Sequence, residues 1–557
     1  MKKFGVLISV LILITLLVAC VNLPTEAVPP AEQPAGGISA KEPTGPLYIP
    51  NRVLVTGQRA ALEPEEGIDF FQAQAKQLGI ELELVERPIG FELPSEQVPA
   101  KLGGAGESSG LTPVRVASNI PRSGALAAPA SLIQQSIELQ TRIYQVVACA
   151  ESERDEDPAT CVIRRLGKDP QVEETPAVVE HDLITGHPWQ TGGSPWQTGG
   201  SPHGGLIKDG GLNADHLRCQ WAFGPPGPGP AGTHGINLVQ PGTPPCTRLV
   251  ERGGEGVVVG IFDTSPFSDP ADAASLGWNM QVFSPTLAIT VEMLSPAGLN
   301  DPGVDVSDHG LFVASLAHEV APAAEIALVR VLNDDAEGAV SDLITAVDGF
   351  RTFDYPKATH PQRVINLALG VFAADVPPDD TDVVSLRLHL LAAANDDIVI
   401  VAASGNESDG NVVGPNVPAR WHFVIGVAAT NNVGDRSCFS NKAKPNDVAS
   451  AGGGAAPGSA CNPDPNVQPA CTSAVCITGR IWPRSEGDPE YGLWRGTSFA
   501  APMVAGLSAL VLQGGVPGSG IGIVQQVRNA LHAGISSPAP PPSDIGHGRV
   551  DVANTAP

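Results

Sequence analysis

Attack of a hydroxyl on a carbonyl needs a nucleophile placed where negative charge is welcome, a base to take its proton, and a group to orient that base. Gly496-Thr497-Ser498-Phe499-Ala500-Ala501-Pro502 can supply the nucleophile. It follows an irregular polar run ending in Leu493-Trp494-Arg495 and opens an almost wholly apolar stretch, Met503 to Leu512. Ala505, Gly506 and Ala509 in that stretch permit close backbone packing. The pattern predicts a turn and then a buried helix with Ser498 at its N-terminus. Pro502 is expected in the first turn, where a missing N–H costs least. The free N–H groups and the dipole at such an end favour a developing anion.

Base and orienter can be proposed upstream. Gly256-Val257-Val258-Val259-Gly260-Ile261-Phe262 is a continuous apolar run, the pattern of a parallel strand buried on both faces. Asp263 ends it, in the loop zone where open α/β sheets place their chemistry. Ser307-Asp308-His309-Gly310 precedes the helical-looking Leu311–Leu316, so His309 projects from a helix start. Taken singly, each residue has a plain structural use: Asp263 as a turn former, Asn406 as a loop residue, His309 and Ser498 as helix caps. Only their joint order argues for catalysis.

The elements that must hold these groups alternate along the chain. Strands are expected at 256–262, 326–332, 363–369, 398–403 and 423–429, and helices at 309–318, 340–350, 383–396, 498–513 and 522–532. Such alternation implies an α/β domain whose mostly parallel sheet is covered by helices on both faces. Residues 452–490, rich in Gly and Pro with three cysteines, read as a surface excursion before the nucleophile. His318-Glu319 lacks a second His at metalloprotease spacing and is not a metal motif.

In this order and context the chain resembles the subtilisin-like serine proteases, whose triad runs Asp, His, Ser. Gly496–Pro502 matches the family's serine motif without departure. Carried over residue by residue, the resemblance implies Asp263 as orienter, His309 as general base and Ser498 as nucleophile. Val401-Ala402-Ala403-Ser404-Gly405-Asn406 resembles the oxyanion segment, implying Asn406 as side-chain donor beside the Ser498 N–H. Val320-Ala321-Pro322, Val329–Leu332, Val364–Gly370, Pro418-Ala419 and Val424–Val427 are similar as well, as is the terminal Gly546–Asp551, which implies that the domain closes there. The resemblance covers roughly 211–557.

It further implies a cleft lined by Ala368, Leu369 and Gly370 with Ala403, Ser404 and Gly405, where an extended polypeptide substrate adds as a strand. No redox or nucleotide cofactor and no metal ligand is implied, and a structural calcium, common in the family, is not legible here. A monomer is expected. The chain departs from the family's usual glycine at Ser265, from His-Gly-Thr at Leu311, and from a common glycine at Ser315. These departures speak for the competing reading, an inactive binding protein of the same fold on the cell surface.

The rest of the chain sets the context. A net charge of −26 over 557 residues argues against a nucleic-acid partner, which would want a basic surface. Met1-Lys2-Lys3 and the apolar Phe4–Ala19 read as an export signal, 1–19, too short to span a bilayer convincingly. Leu17-Val18-Ala19-Cys20 resembles a bacterial lipoprotein processing site, which implies lipidation of Cys20 and a membrane anchor. Residues 20–47, rich in Pro and Glu, read as a disordered tether.

A small α+β domain is expected at 48–182. Val53–Val55 is a strand candidate, Ile68, Phe71, Ala75 and Leu78 mark one helix face, and Ile80, Leu82 and Leu84 alternate with Glu81 and Glu83. Residues 131–148 are expected to hold a helix or a helix–strand pair. Val162–Val172 resembles the closing segment of subtilase propeptides, which implies an intramolecular chaperone and inhibitor. A linker with a repeated Pro-Trp-Gln-Thr-Gly-Gly-Ser follows at 183–210, and the catalytic domain at 211–557. With Cys20 set aside, eight cysteines remain, an even number that suits disulfides in an exported chain. Local pairs are expected: Cys149–Cys161, Cys219–Cys246, and two among Cys438, Cys461, Cys471 and Cys476.

Overall fold

The computed structural model describes residues 48–557 apart from 65–68, 86–87, 99–135, 150–156, 167, 172–176, 187–205, 226–233, 241–245, 268–269, 284–305, 335, 372–382, 409–412, 455–470, 536–543 and 557. The expectations for 1–47, including Cys20, and for the repeat at 188–201 lie outside the described residues.

The first sheet is antiparallel. Its strands are β1 (Tyr48–Gln58), β2 (Ile80–Leu84), β3 (Ile89–Pro94), β4 (Ser136–Cys149) and β5 (Ala177–Gly186). Helix α1 (Phe70–Gln77) starts where Asp69 accepts from the Gln72 N–H at 3.0 Å, and α2 (Pro158–Leu166) is tied to β4 by the disulfide Cys149–Cys161. The expectation for 131–148 is corrected in its described part. Residues 136–149 form one unbroken strand, because β1 pairs with one edge while β2 and β3 share the other. Neighbouring strands satisfy the backbone groups that a helix would pair internally.

Alternation then splits this sheet between two cores. Val53, Val55, Tyr144 and Val146 pack with Phe71, Ala75 and Val162 in a small core of their own. Leu54, Phe91, Leu139 and Ile143 join the large core of the rest of the chain. Both sheets belong to one compact unit, Gly45–Pro557.

The second sheet is all parallel over seven strands. Its members are β6 (Val257–Asp263), β7 (Met280–Phe283), β8 (Glu325–Arg330), β10 (Gln362–Leu367), β11 (Ile398–Ala403), β12 (Ile425–Thr430) and β13 (Val448–Ala451), in the order β7-β8-β6-β10-β11-β12-β13. Helices α3 (His309–Val320), α4 (Val340–Gly349), α5 (Val384–Asn395), α6 (Thr497–Gln513) and α7 (Ile521–Ala533) complete an α/β layer structure. Every residue of β6 is buried, as its apolar run requires. The strand alternates between two helical layers. A Cβ on Gly260 would lie 2.8 Å from the Phe350 ring just past α4, whereas the Asp263 Cβ lies on the opposite side, against Gly310 of α3.

All five expected strands and all five expected helices are present, with ends shifted by two residues at most. Strands β7 and β13 were not expected. Each has four residues and carries a polar side chain, Gln281 or Ser450, so no apolar run marks it. The linker boundary moves too. Strand β5 continues past residue 182 to Gly186 and pairs with a short strand, β9 (Glu337–Ala339), just before α4, while Ile207–Lys208 pairs with Leu493 and Gly492. The described part of 452–490 is a surface excursion only in part: residues 472–474 and 484–488 are exposed, but a buried strand pair runs through it. Ile477–Arg480 (β14) pairs antiparallel with Tyr491–Trp494 (β15), and Cys476, Ile477 and Ile481 are fully buried.

Candidate active site

Strand β6 delivers Asp263 to the C-terminal edge of the parallel sheet, and α3 begins with His309 beside it. His309 Nδ1 donates to Asp263 at 2.9 Å from Oδ1 and 3.0 Å from Oδ2. Both side chains are buried, which strengthens the pairing by excluding water. Thr264 locks the two segments together: its Oγ1 accepts from the Gly310 N–H at 3.0 Å and donates to the Ser307 carbonyl at 3.0 Å. Gly310 is required there, since a Cβ would sit 2.0 Å from the Thr264 carbonyl oxygen. Its neighbour Asp308 has a different task, with Oδ1 accepting from the Trp482 N–H at 2.8 Å.

Ser498 is the second residue of α6, where backbone N–H groups lack helical partners. Its Oγ donates to the Ala368 carbonyl at 3.1 Å. The residues around it reach the His309 imidazole: Trp494 and Phe499 place their rings 5.1 and 5.2 Å from it. One expectation is corrected. The helix begins at Thr497, so Pro502 is its sixth residue and lies beyond the first turn. Its missing N–H is the one that would have bonded the Ser498 carbonyl, which loosens the helix at the nucleophile.

Asn406 follows β11 and is oriented by the same helix start. Its Oδ1 accepts from the Thr497 N–H at 2.9 Å and from Thr497 Oγ1 at 3.0 Å. That fixes the amide plane with Nδ2 toward Gly496, 3.6 Å from where a Cβ on that glycine would stand. Asp263 and His309 are thus hydrogen-bonded, Asn406 is bonded to Thr497 on one side of Ser498, and Phe499 on its other side lies against His309.

The expected cleft residues divide. Ala368, Leu369 and Gly370 follow β10, and Gly370 must be glycine because a Cβ would lie 2.4 Å from the Val417 carbonyl oxygen. The backbone of Ser404 is engaged by Val427 and Asn416, and that of Gly405 by Thr497 and Asn441. These two residues can wall a cleft but have no spare backbone groups for strand pairing at those bonds.

Sequence reasoning missed the supports. Glu407 accepts from Asn416 Nδ2 at 3.1 Å and from Asn441 Nδ2 at 2.5 Å, directly beneath Gly405. Burial pushes its carboxyl up to about 8. Its place beside Asn406 was the only available signal. The departures from the family pattern are absorbed locally. Leu311 is fully buried, the Ser265 hydroxyl accepts from the Phe267 N–H, and Ser315 Oγ accepts from the Arg480 N–H at 3.1 Å, tying α3 to β14. His318 stacks on Trp278 with centroids 4.5 Å apart, a packing role. Among the described residues no group of three or more His, Cys, Asp or Glu could hold a metal. The disulfides Cys219–Cys246 and Cys471–Cys476 are formed, Cys438 is also bonded, and Cys461 lies outside the described residues.

Comparison with known proteins follows this geometry. The sequence model described as the subtilase family matches residues 254–535. Subtilisin E of Bacillus subtilis (strain 168) is 28% identical over 222 residues, covering 38% of this chain and 47% of that protein. An extracellular protease of Xanthomonas campestris pv. campestris is 28% identical over 227 residues, covering 38% of this chain and 34% of that one. The chain therefore spans about half the length of the first relative and a third of the second. Among solved structures, proteases from Pseudoalteromonas arctica align with a TM-score of 0.41 at 22% identity, covering 61% of this chain and 97% of theirs.

Proposed function

The chain belongs to the subtilase family, and from that premise we propose that it is a serine endopeptidase made as a zymogen and anchored outside the cell. The observation that carries the activity is the buried Asp263–His309 pair beside the Ser498 helix start. Asp263 holds the tautomer in which His309 Nε2 is free to accept. The Ser498 hydroxyl leaves the Ala368 carbonyl, passes its proton to Nε2 and attacks the scissile carbonyl. Asn406 Nδ2 and the Ser498 N–H receive the oxyanion, His309 protonates the leaving amine, and water then releases the acyl group by the same steps in reverse.

The antiparallel sheet acts as the propeptide, and its last strand explains how. Neither α4 nor α5 has a side-chain cap of its own. Glu180 of β5 accepts from the Val384 and Ser385 N–H groups of α5, each at 3.0 Å. Asp182 accepts from the Ser341 N–H of α4 at 2.9 Å and from its hydroxyl at 2.6 Å. Two carboxylates on one strand thus complete two helix starts of the catalytic region. Lipidation of Cys20 after export would tether the whole.

A fluorophosphonate probe tests the activity: labelling of the wild type and none of Ser498→Ala supports the enzyme. A processed wild type that stays unlabelled points instead to a binding protein. N-terminal sequencing of both chains reads self-processing. Fractionation of Cys20→Ser reads the anchor, since release from membranes is the expected result.

A further inference from the structure

Three residues before the nucleophile, Arg495 is an anomaly. It is 5% exposed, and among the described residues none of its nitrogens has a hydrogen-bond or carboxylate partner. Its Nε is fully enclosed without an acceptor. The Nε atoms of Arg363 and Arg528 are enclosed without an acceptor as well, but their other nitrogens are provided for: Arg363 donates to the Arg351 and Tyr355 carbonyls and Arg528 to those of His422 and Val424, while Arg142 reaches Gln140 and Arg436 reaches Asp544. Burying a guanidinium with nothing to receive it costs several kcal/mol. Such groups collect where a ligand completes them.

Burial alone lowers the Arg495 pKa, to about 10, so the side chain keeps its charge at neutral pH. Its backbone is held firmly. The Gly496 N–H donates to the Gly452 carbonyl at 2.9 Å, and a Cβ on Gly453 would stand 3.3 Å from the Arg495 Cβ. Gly452 and Gly453 follow β13, the edge strand of the sheet. The cleft residues Ala368–Gly370, which we take to pair with the acyl side of a substrate, follow β10, three strands away with β11 and Asn406 between. Arg495 therefore lies across the oxyanion donor from that wall, on the side that the leaving segment of a substrate would take.

We infer that Arg495 is a specificity-determining residue that selects substrates with a carboxylate on the leaving side of the scissile bond. The carboxylate is that of an acidic side chain or of the chain terminus, since a guanidinium receives both in the same way. The acidic chain, with net charge −26, repels such substrates at long range, so the preference depends on this local contact. The inference rests on the endopeptidase reading.

The test is a set of quenched fluorescent peptides sharing one acyl side. They carry Glu, Gln or Lys at successive leaving-side positions and end in a free or amidated terminus. The processed enzyme is counted by fluorophosphonate titration. Wild type should prefer Glu to Gln at one position, or the free to the amidated terminus, by about ten- to a hundredfold in kcat/KM. Which pair responds separates side chain from terminus. Arg495→Gln should erase that ratio, and Arg495→Glu should favour Lys. No acid preference in the wild type overturns the inference without any variant, which covers the case of a variant that fails to fold. An equal loss on every peptide in a folded Arg495→Gln also overturns it. If no peptide is cut although Ser498 is labelled, the endopeptidase reading falls first and the inference with it.

Discussion

The two sheets bury their strands by different means. The parallel sheet is closed in on both faces by elements of its own region, so β6, β11 and β12 are buried at every residue. The antiparallel sheet covers one face with α1 and α2 and gives the other to α4 and α5. The contact is polar as well as apolar. Thr56 links Thr141 to Ser385 through hydroxyl pairs at 2.6 Å, and Thr141 also meets His389 Nε2 at 2.9 Å. The parallel sheet thus completes its core within its own region, whereas the antiparallel sheet shares half of its core with α4 and α5, as the proposed propeptide role requires of a region that departs. The candidate active-site residues come wholly from the parallel-sheet region, and the caps on two of its helices come from the antiparallel sheet.

The sharpest way to break this division is to show chemistry without its proposed residues. Ser498→Ala should lower peptide hydrolysis by ~10⁶, the scale seen when a subtilisin loses its nucleophile, and peptidase assays after added-protease processing check it. Asn406→Ala should lower kcat by about 10²–10³, the range measured for the corresponding asparagine of subtilisin, with KM little changed. A loss in KM alone would mean that Asn406 holds ground-state substrate and not the oxyanion.

The borrowed half of the comparison is read by stability. In the Ser498→Ala background, Glu180→Gln with Asp182→Asn should cost about 1–2 kcal/mol for each lost cap. Hydrogen exchange should quicken at the Ser341, Val384 and Ser385 amides. Unchanged exchange would show that these helix starts do not depend on β5.

The smallest effect concerns Glu407. Its folded pKa, about 8, lies above the ordinary carboxyl value of 4.5. Between those values the unfolded chain has lost the proton that the folded chain keeps, so stability falls as pH rises through that window. Glu407→Gln should flatten the decline by about 1–3 kcal/mol, read from denaturant unfolding at pH 5 and pH 8. A decline of equal slope in the variant would assign it to other groups.

Much of this was legible without coordinates because it is local. Long apolar runs such as Val257–Phe262, and a run bounded by a polar turn such as Ser498–Leu512, specify their element through burial alone. What was not legible is set by pairing. Strand β4 looked helical or mixed because its residues serve two cores. Short edge strands β7 and β13 had too few residues to show a period. Buried β14 hid in a Gly- and Pro-rich stretch because its partner β15 lies beyond an irregular segment.

The site divides in the same way. Sequence by itself determined which side chains could react and in which order they occur, since a nucleophile, a base and an acid are recognisable by type and by their place at strand or helix ends. Only the tertiary structure decided that Asp263 lies 2.9 Å from His309, that Thr497 aims the Asn406 amide, that Glu180 and Asp182 cap helices 204 and 159 residues away, and that the Arg495 Nε is buried without a partner among the described residues. Such facts depend on which distant backbones meet. No local pattern encodes that meeting, because it is fixed by the packing of the whole chain at once.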